Sequence, residues 1–342
     1  MIESMNIVSL FSGCGGLDLA FTNAGFKLVY ANDFDKDVWE TFEKNHHIVI
    51  DKRSIVNIPS EEIPNSEGIL GGPPCQSWSL AGAMRGMKDE RGRLFLEYIR
   101  VLRDKKPKFF LAENVPGIIS STHLPQFKQI LREFEKSGYT ISFKLLDARD
   151  YGVPQERKRV IIVGYRNDLR KRFEFPPPTN SEKPQVTLNR ASKLLPWRTL
   201  QDAIGDLPQA QPAKEKNHAN ENLPFPNQEY MHGSYSSIYM SRNRRKNWDE
   251  PSFTIQAGGR HAPQHPTSSK MKKVGEDKWI FVEDSPNTRR LSVRECARIQ
   301  TFPDDFIFYY NRIDSGYKMI GNAVPVKLAE SIARKIMSDL KP

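Results

Sequence analysis

Short apolar runs recur at Asn6–Leu10, Leu28–Ala31, Gly68–Leu70, Phe109–Ala112 and Val160–Val163, and helical spacing fills the stretches between them. Leu94, Phe95, Tyr98, Ile99 and Leu102, for example, share one face of a helix. Strands that are apolar throughout and alternate with helices demand a largely parallel sheet covered on both faces. The spacing therefore predicts an α/β, Rossmann-like, doubly wound and mostly parallel sheet. It stops near Phe175, where Pro176-Pro177-Pro178-Thr179-Asn180 reads as a linker, being neither helix nor central strand. From there to about residue 288 the chain is rich in Pro, Asn, Gln, Ser and basic residues, with only short β-like pieces at Ser252–Gln256 and Trp279–Val282. A second, smaller domain of loops and strands is the simplest account. Leu291–Gln300 and Val326–Leu340 then read as helices.

At 342 residues the chain can hold one large domain or two unequal ones. With 38% hydrophobic and 27% charged residues it reads as soluble, and no apolar run is long enough to cross a bilayer. The start, Met1-Ile2-Glu3-Ser4, lacks the basic and apolar regions of a secretory signal, so a cytoplasmic location is expected. Three cysteines, Cys14, Cys75 and Cys296, are too few and too scattered for a disulfide framework or a zinc site, and no metal is expected. Lys and Arg number 51 against 41 acids, a net charge of +10 that favours a polyanionic partner. Arg242, Arg244, Arg245, Lys246 and Arg260 concentrate part of that charge in a segment with few acids.

Chemistry is concentrated in a few short segments. Phe11-Ser12-Gly13-Cys14-Gly15-Gly16-Leu17-Asp18 follows the first strand, where glycines allow a tight turn and close approach of a ligand. Asp18 stands where a dinucleotide fingerprint needs glycine, and no Lys-Ser/Thr follows the last glycine as in a phosphate-cradling loop. A plain strand-to-helix turn fits this segment as well as a cofactor loop does. Asn32-Asp33-Phe34-Asp35, after the second strand, offers a carboxylate for ribose hydroxyls and an aromatic ring for adenine, or else a helix N-cap at Asp33 or Asp35. The sharpest signal is Gly71-Gly72-Pro73-Pro74-Cys75-Gln76-Ser77-Trp78-Ser79, a rigid loop that presents a thiol at the ligand-binding edge of such a sheet. Glu113 closes an apolar strand, where desolvation favours its holding a proton. Gln155, Arg157 and Arg159 would alternate onto one strand face as three donors, or simply form a solvated basic strand start.

In this order the segments resemble the bacterial DNA (cytosine-5) methyltransferases of restriction-modification systems. The resemblance extends through Arg290-Leu291-Ser292-Val293-Arg294-Glu295-Cys296-Ala297-Arg298-Ile299-Gln300-Thr301-Phe302-Pro303 and ends on Gly316-Tyr317-Lys318-Met319-Ile320-Gly321-Asn322-Ala323-Val324-Pro325. It implies the class I fold of S-adenosylmethionine-dependent methyltransferases, with S-adenosylhomocysteine as product. Residues 1–180, completed by 313–342, would be the catalytic domain, and 181–312 the target-recognition domain. Cys75 would attack C6 of a cytosine flipped out of duplex DNA. Glu113 would protonate or hydrogen-bond N3, and Arg157, with Arg159 and Gln155, would hold the base and backbone. Phe11, Gly13, Cys14, Gly16, Leu17, Asp33, Phe34, Ser54, Ile55, Pro74, Leu94, Asn322 and Ala323 would border the cofactor. Many relatives carry Gly-Asp-Ile where this chain has Arg53-Ser54-Ile55, so the adenine amino group would fall to Ser54 or to Asp51.

Ser241-Arg242-Asn243-Arg244 and Gln256-Ala257-Gly258-Gly259-Arg260 resemble the segments of enzymes that methylate GGCC. Arg242, Arg244 and Arg260 would read guanines or grip phosphates, and Ile238 and Tyr239 would fill the gap left by the flipped base. The resemblance also implies a monomer and a separate endonuclease acting on the same site. A tRNA cytosine-5 methyltransferase and a DNA-binding relative without activity are the rival readings.

Overall fold

The computed structural model describes residues 4–74, 90–183, 194–220 and 222–341. The chain packs into two compact units, one of Met1–Asp147, Lys158–Pro177 and Ala329–Pro342, the other of Ala148–Arg157 and Pro178–Leu328.

The first unit is built on strands β1 (Asn6–Leu10), β2 (Lys27–Asn32), β3 (Gly68–Gly71), β4 (Phe109–Asn114), β5 (Tyr139–Asp147) and β6 (Lys158–Arg166), in the spatial order β2-β1-β3-β4-β6-β5. Pairing is parallel from β2 to β4, whereas β6 runs antiparallel to both β4 and β5. Because strand side chains alternate, each strand feeds two cores. Val8, Leu10, Ile69, Phe110, Ala112 and Ile162 meet Phe95, Tyr98 and Leu102 of α3 (Glu90–Lys105) and Phe127 and Phe134 of α4 (Leu124–Lys136). On the opposite face Phe109 packs on Phe21 of α1 (Gly16–Asn23) and on Phe26. The α2 helix (Trp39–His46) buries Phe42 against Ala31 and Ile50. This is the doubly wound sheet expected from the sequence.

Every strand expected in the first unit is present. The unexpected one is β5, a sheet-edge strand that leaves Phe143 and Leu145 partly exposed and so lacks a continuous apolar run. Tyr98 shows how packing shapes the edge that matters. Its hydroxyl donates to the carbonyls of Ile69 (3.2 Å) and Leu111 (2.9 Å), and its ring lies so close beneath Gly71 that a Cβ there would sit 2.6 Å away.

Among the described residues the second unit has short strand pairs, including the hairpin Met271–Gly275/Lys278–Phe281. Its helices are α5 (Leu200–Ile204), α6 (Val293–Ile299) and α7 (Ile313–Asn322), the first two opened by the capping boxes Thr199/Asp202 and Ser292/Glu295. Ser252–Gln256 contributes only an isolated bridge, between Ser252 and Gln155. Residues 148–157 and 313–328, assigned with the catalytic domain on sequence, pack in this unit. Tyr317 of α7 explains part of that, since its hydroxyl donates to the Leu291 carbonyl (2.6 Å) and accepts from the Met231 amide (3.2 Å). Helix α8 (Val326–Leu340) belongs to the first unit from Ala329 onward. Among the described residues no helix is long and apolar enough to cross a membrane.

Candidate active site and nucleic-acid interface

The glycine loop leaves β1 through positive φ at Phe11 (55°), Gly13 (56°) and Gly15 (91°), a path that suits glycine at the last two positions. Its Gly13 amide donates to Asp33 Oδ2 at 2.8 Å, which ties the loop to the end of β2. Asp33 Oδ1 accepts from the Asp35 amide (2.9 Å), and the Asp33 carbonyl accepts from the Trp39 indole (2.8 Å). The helix that follows starts from Val38, so neither Asp33 nor Asp35 is its N-cap. Phe34 presents a ring that is 55% exposed, and a Cβ built on Gly13 would meet nothing within 4 Å. An open main-chain cradle, a carboxylate and a free aromatic face suit an adenosyl group, and no lysine is present in the loop to suit a phosphate.

Other expected cofactor residues sit deeper. Cys14 is buried, and burial pushes its thiol up to about 12, so its main chain alone can face a ligand. Leu17 and Ile55 are core residues. Ser54 precedes a short 3₁₀ turn without a side-chain cap bond. Asp51, the alternative to it, is already engaged: Arg53 donates to it through Nε (3.1 Å) and Nη2 (2.7 Å), and Tyr30 through its hydroxyl (2.9 Å). The Arg53 guanidinium holds the Asp51 carboxyl below the usual range.

Cys75 lies outside the described residues, but the loop leading to it is defined. The Asn114 amide donates to the Pro73 carbonyl at 3.0 Å, and Glu113 Oε2 would stand 3.4 Å from a Cβ on Gly72. Glu113 Oε1 pairs with Arg159 Nε at 2.6 Å, both side chains being only 11% exposed. The antiparallel course of β6 makes this possible. Asn114 pairs with Val160 across the ladder, so the start of β6 reaches the sheet edge where β3 and β4 end. Leu94 of α3 is buried in the first unit.

Gln155 and Arg157 do not join Arg159. The strand begins only at Lys158, so side-chain alternation does not extend back to them. Both are wholly buried in the second unit. Arg157 donates to the carbonyls of Ile255 (2.9 Å), Gly321 (2.7 Å) and Ala323 (2.9 Å). Gln155 bonds Gln300 (2.9 Å) and the Ile255 amide (2.8 Å). Expected to hold the base, both instead spend these polar atoms on the turn that carries Asn322, whose side chain is exposed, and Ala323.

Of the residues expected to meet DNA, Ile238 (66% exposed), Arg242 and Arg260 are on the surface of the second unit. Among the described residues neither arginine has an ion-pair partner. Tyr239 and Arg244 turn inward, contrary to expectation. The Tyr239 hydroxyl donates to the Ala262 carbonyl (3.0 Å), while Arg244 donates to the carbonyls of Tyr239 (2.9 Å) and Ile238 (3.2 Å). His261 reports how these arginines converge, since burial and the charges of Arg244, Arg242, Arg290 and Arg260 all push its pKa down. The sequence gives Asn114 no task, although an amide directly after the strand-ending acid is the available signal for its bond to Pro73. It gives His46 no task either.

A glycine loop tied to Asp33 at one edge of a Rossmann-like sheet, and an acid–guanidinium pair beside a Gly-Pro-Pro loop, give a doubly wound α/β unit with a polar ligand-binding edge. Residues 5–338 match the family model of the C-5 cytosine-specific DNA methylases. The type II methyltransferase M.MthTI of Methanothermobacter thermautotrophicus is 59% identical over 99% of this chain and 98% of its own. M.FnuDI of Fusobacterium nucleatum is 52% identical over 98% and 95%. The Entamoeba histolytica methyltransferase EhMeth shares the fold, with a TM-score of 0.67 at 17% identity over 99% of this chain and 100% of its own. The chain belongs to the C-5 cytosine-specific DNA methylases. It is a DNA cytosine-5 methyltransferase of the type II restriction-modification kind.

Proposed function

We propose that the chain methylates C5 of a cytosine in a short duplex site, GGCC, with the first unit performing the chemistry and the second reading the sequence. The observation that carries the catalytic reading is the Glu113–Arg159 pair, 2.6 Å apart, set against the loop that leads to Cys75. The Cys75 thiolate adds to C6, and the ring electrons this releases make C5 nucleophilic. Glu113 would donate a proton to N3 as charge develops on the ring, with Arg159 holding Glu113 in place. When bound, S-adenosylmethionine supplies the electrophilic methyl group. Loss of the C5 proton to a base then restores the double bond as the Cys75–C6 bond breaks. Flipping the base costs roughly a few kcal/mol of stacking.

Asp33 would accept the ribose hydroxyls, Phe34 would stack on adenine, and the main chain of Phe11 and Gly13–Gly16 would line the remainder, with Ser54 nearest the adenine amino group. Ile238 would enter the duplex, and Arg242 and Arg260 would read guanines through O6 and N7. The enzyme would act as a monomer in the cytoplasm, beside a separate endonuclease with the same target. Incubation with S-adenosylmethionine and unmethylated plasmid, followed by bisulfite sequencing, tests this: methylation confined to GGCC is expected. Methylation at another sequence would reject GGCC, and transfer to tRNA but not DNA would reject the substrate.

A further inference from the structure

The α2 helix touches both parts of the glycine-loop site. At its first residue, the Trp39 indole holds the Asp33 carbonyl at 2.8 Å. At its last residue, His46 lies under the glycine loop. A Cβ on Gly15 would come within 1.9 Å of His46 Nε2 and 2.6 Å of Cδ2, so the imidazole rests directly against that glycine. The ring lies against the main chain of Cys14 and Gly15, whose polar groups act on it, and it packs on Phe42 at 4.5 Å. Burial pushes its pKa down to about 4, so it is neutral at physiological pH. The loop itself is strained, with positive φ at Phe11, a residue that rarely adopts it, as well as at Gly13 and Gly15.

We propose that His46 is a positioning residue for the cofactor: its imidazole fixes the main chain of Cys14 and Gly15 in the direction that binding requires. The inference rests on the reading of this loop as the S-adenosylmethionine site. Its logic is one of populations. A strained loop that loses its polar support relaxes, and apparent affinity falls by the fraction of molecules left in the competent form. Packing alone would ask only that the space be filled.

The test is calorimetric binding of S-adenosylhomocysteine to the full chain and to three variants. His46→Leu fills the space without polar atoms, whereas His46→Asn and His46→Gln keep an amide at the reach of Nδ1 and Nε2 respectively. His46→Leu is expected to bind at least tenfold more weakly, and at least one amide variant to stay within threefold of the wild type. DNA affinity of the same preparations, measured without cofactor, should be unchanged and serves as the check on folding. Wild-type affinity in His46→Leu would overturn the proposal, as would equal weakening in all three variants. If His46→Leu fails to fold, the amide variants decide: both more than tenfold weaker refutes the role, and either within threefold supports it. A wild-type chain that binds no S-adenosylhomocysteine would instead sink the cofactor reading.

Discussion

Asp18 is a carboxyl group that the fold holds in the protonated form at a measurable expense. It is wholly buried in the first turn of α1, and burial raises its pKa from 3.8 to about 7, against the lowering effect of the Ser9 hydroxyl and its own main-chain amide. The folded chain therefore keeps this proton up to about pH 7, whereas the unfolded chain releases it near 3.8. Its contribution to stability is fully present below 3.8, declines through the interval, and is gone above about 7. At ~1.4 kcal/mol per pH unit, the interval amounts to ~4 kcal/mol. Asp18→Asn keeps the shape and removes the titration. Relative to wild type it should gain ~1.5 kcal/mol at pH 5 and ~4 kcal/mol at pH 8. Other titrating groups are common to both chains and cancel in the difference. Urea unfolding at the two pH values reads it directly, and thermal melts should separate by several degrees more at pH 8 than at pH 5. A stability difference that is the same at both pH values would refute the reasoning, because it would mean that Asp18 ionises alike in the folded and unfolded chains.

Three further outcomes follow from the geometry. Arg157→Met strands three carbonyls at ~1–3 kcal/mol each, so chemical unfolding should show a loss of ~3 kcal/mol or more; near-wild-type stability with lost methylation would return Arg157 to the substrate. Arg159→Ala should slow single-turnover methyl transfer ~100-fold and lower the melting temperature, since Glu113 loses its partner in a site with little water. Arg242→Ala and Arg260→Ala should each cost ~1–3 kcal/mol of discrimination between GGCC and single-base variants in competition assays; uniform weakening with a shallower salt dependence would assign them to phosphates.

Much of this molecule was legible in one dimension. Strands buried on both faces announce themselves as apolar runs, which is why β1, β3, β4 and β6 were found; the edge strand β2 was found because Leu28–Ala31 is apolar even though only its end is buried, and α8 shows its buried face along its whole length. β5 escaped because Thr140, Ser142 and Lys144 interrupt its apolar residues. The site was legible as a set of segments but not as a set of orientations. Arg157 and Arg159 are two residues apart and differ in fate only because β6 begins between them, at Lys158. Tyr239 and Arg244 look like Ile238 and Arg242 in sequence, and only the packing of the second unit turns one pair in and leaves the other out. His46 had no local signal, since its significance comes from a glycine 31 positions earlier meeting the end of α2.

The reversed strand β6 also sets the order of assembly. It is inserted between β4 and β5, yet it is the last of the six to leave the ribosome. β5 and β6 are neighbours in the chain and pair locally, whereas β4 meets β6 only across α4 and β5. When that antiparallel pair docks, hydrogen bonding of the sheet and delivery of Arg159 to Glu113 happen in the same event. The sheet's last pairing and the ion pair at its edge therefore depend on one and the same strand, so neither can be lost without the other.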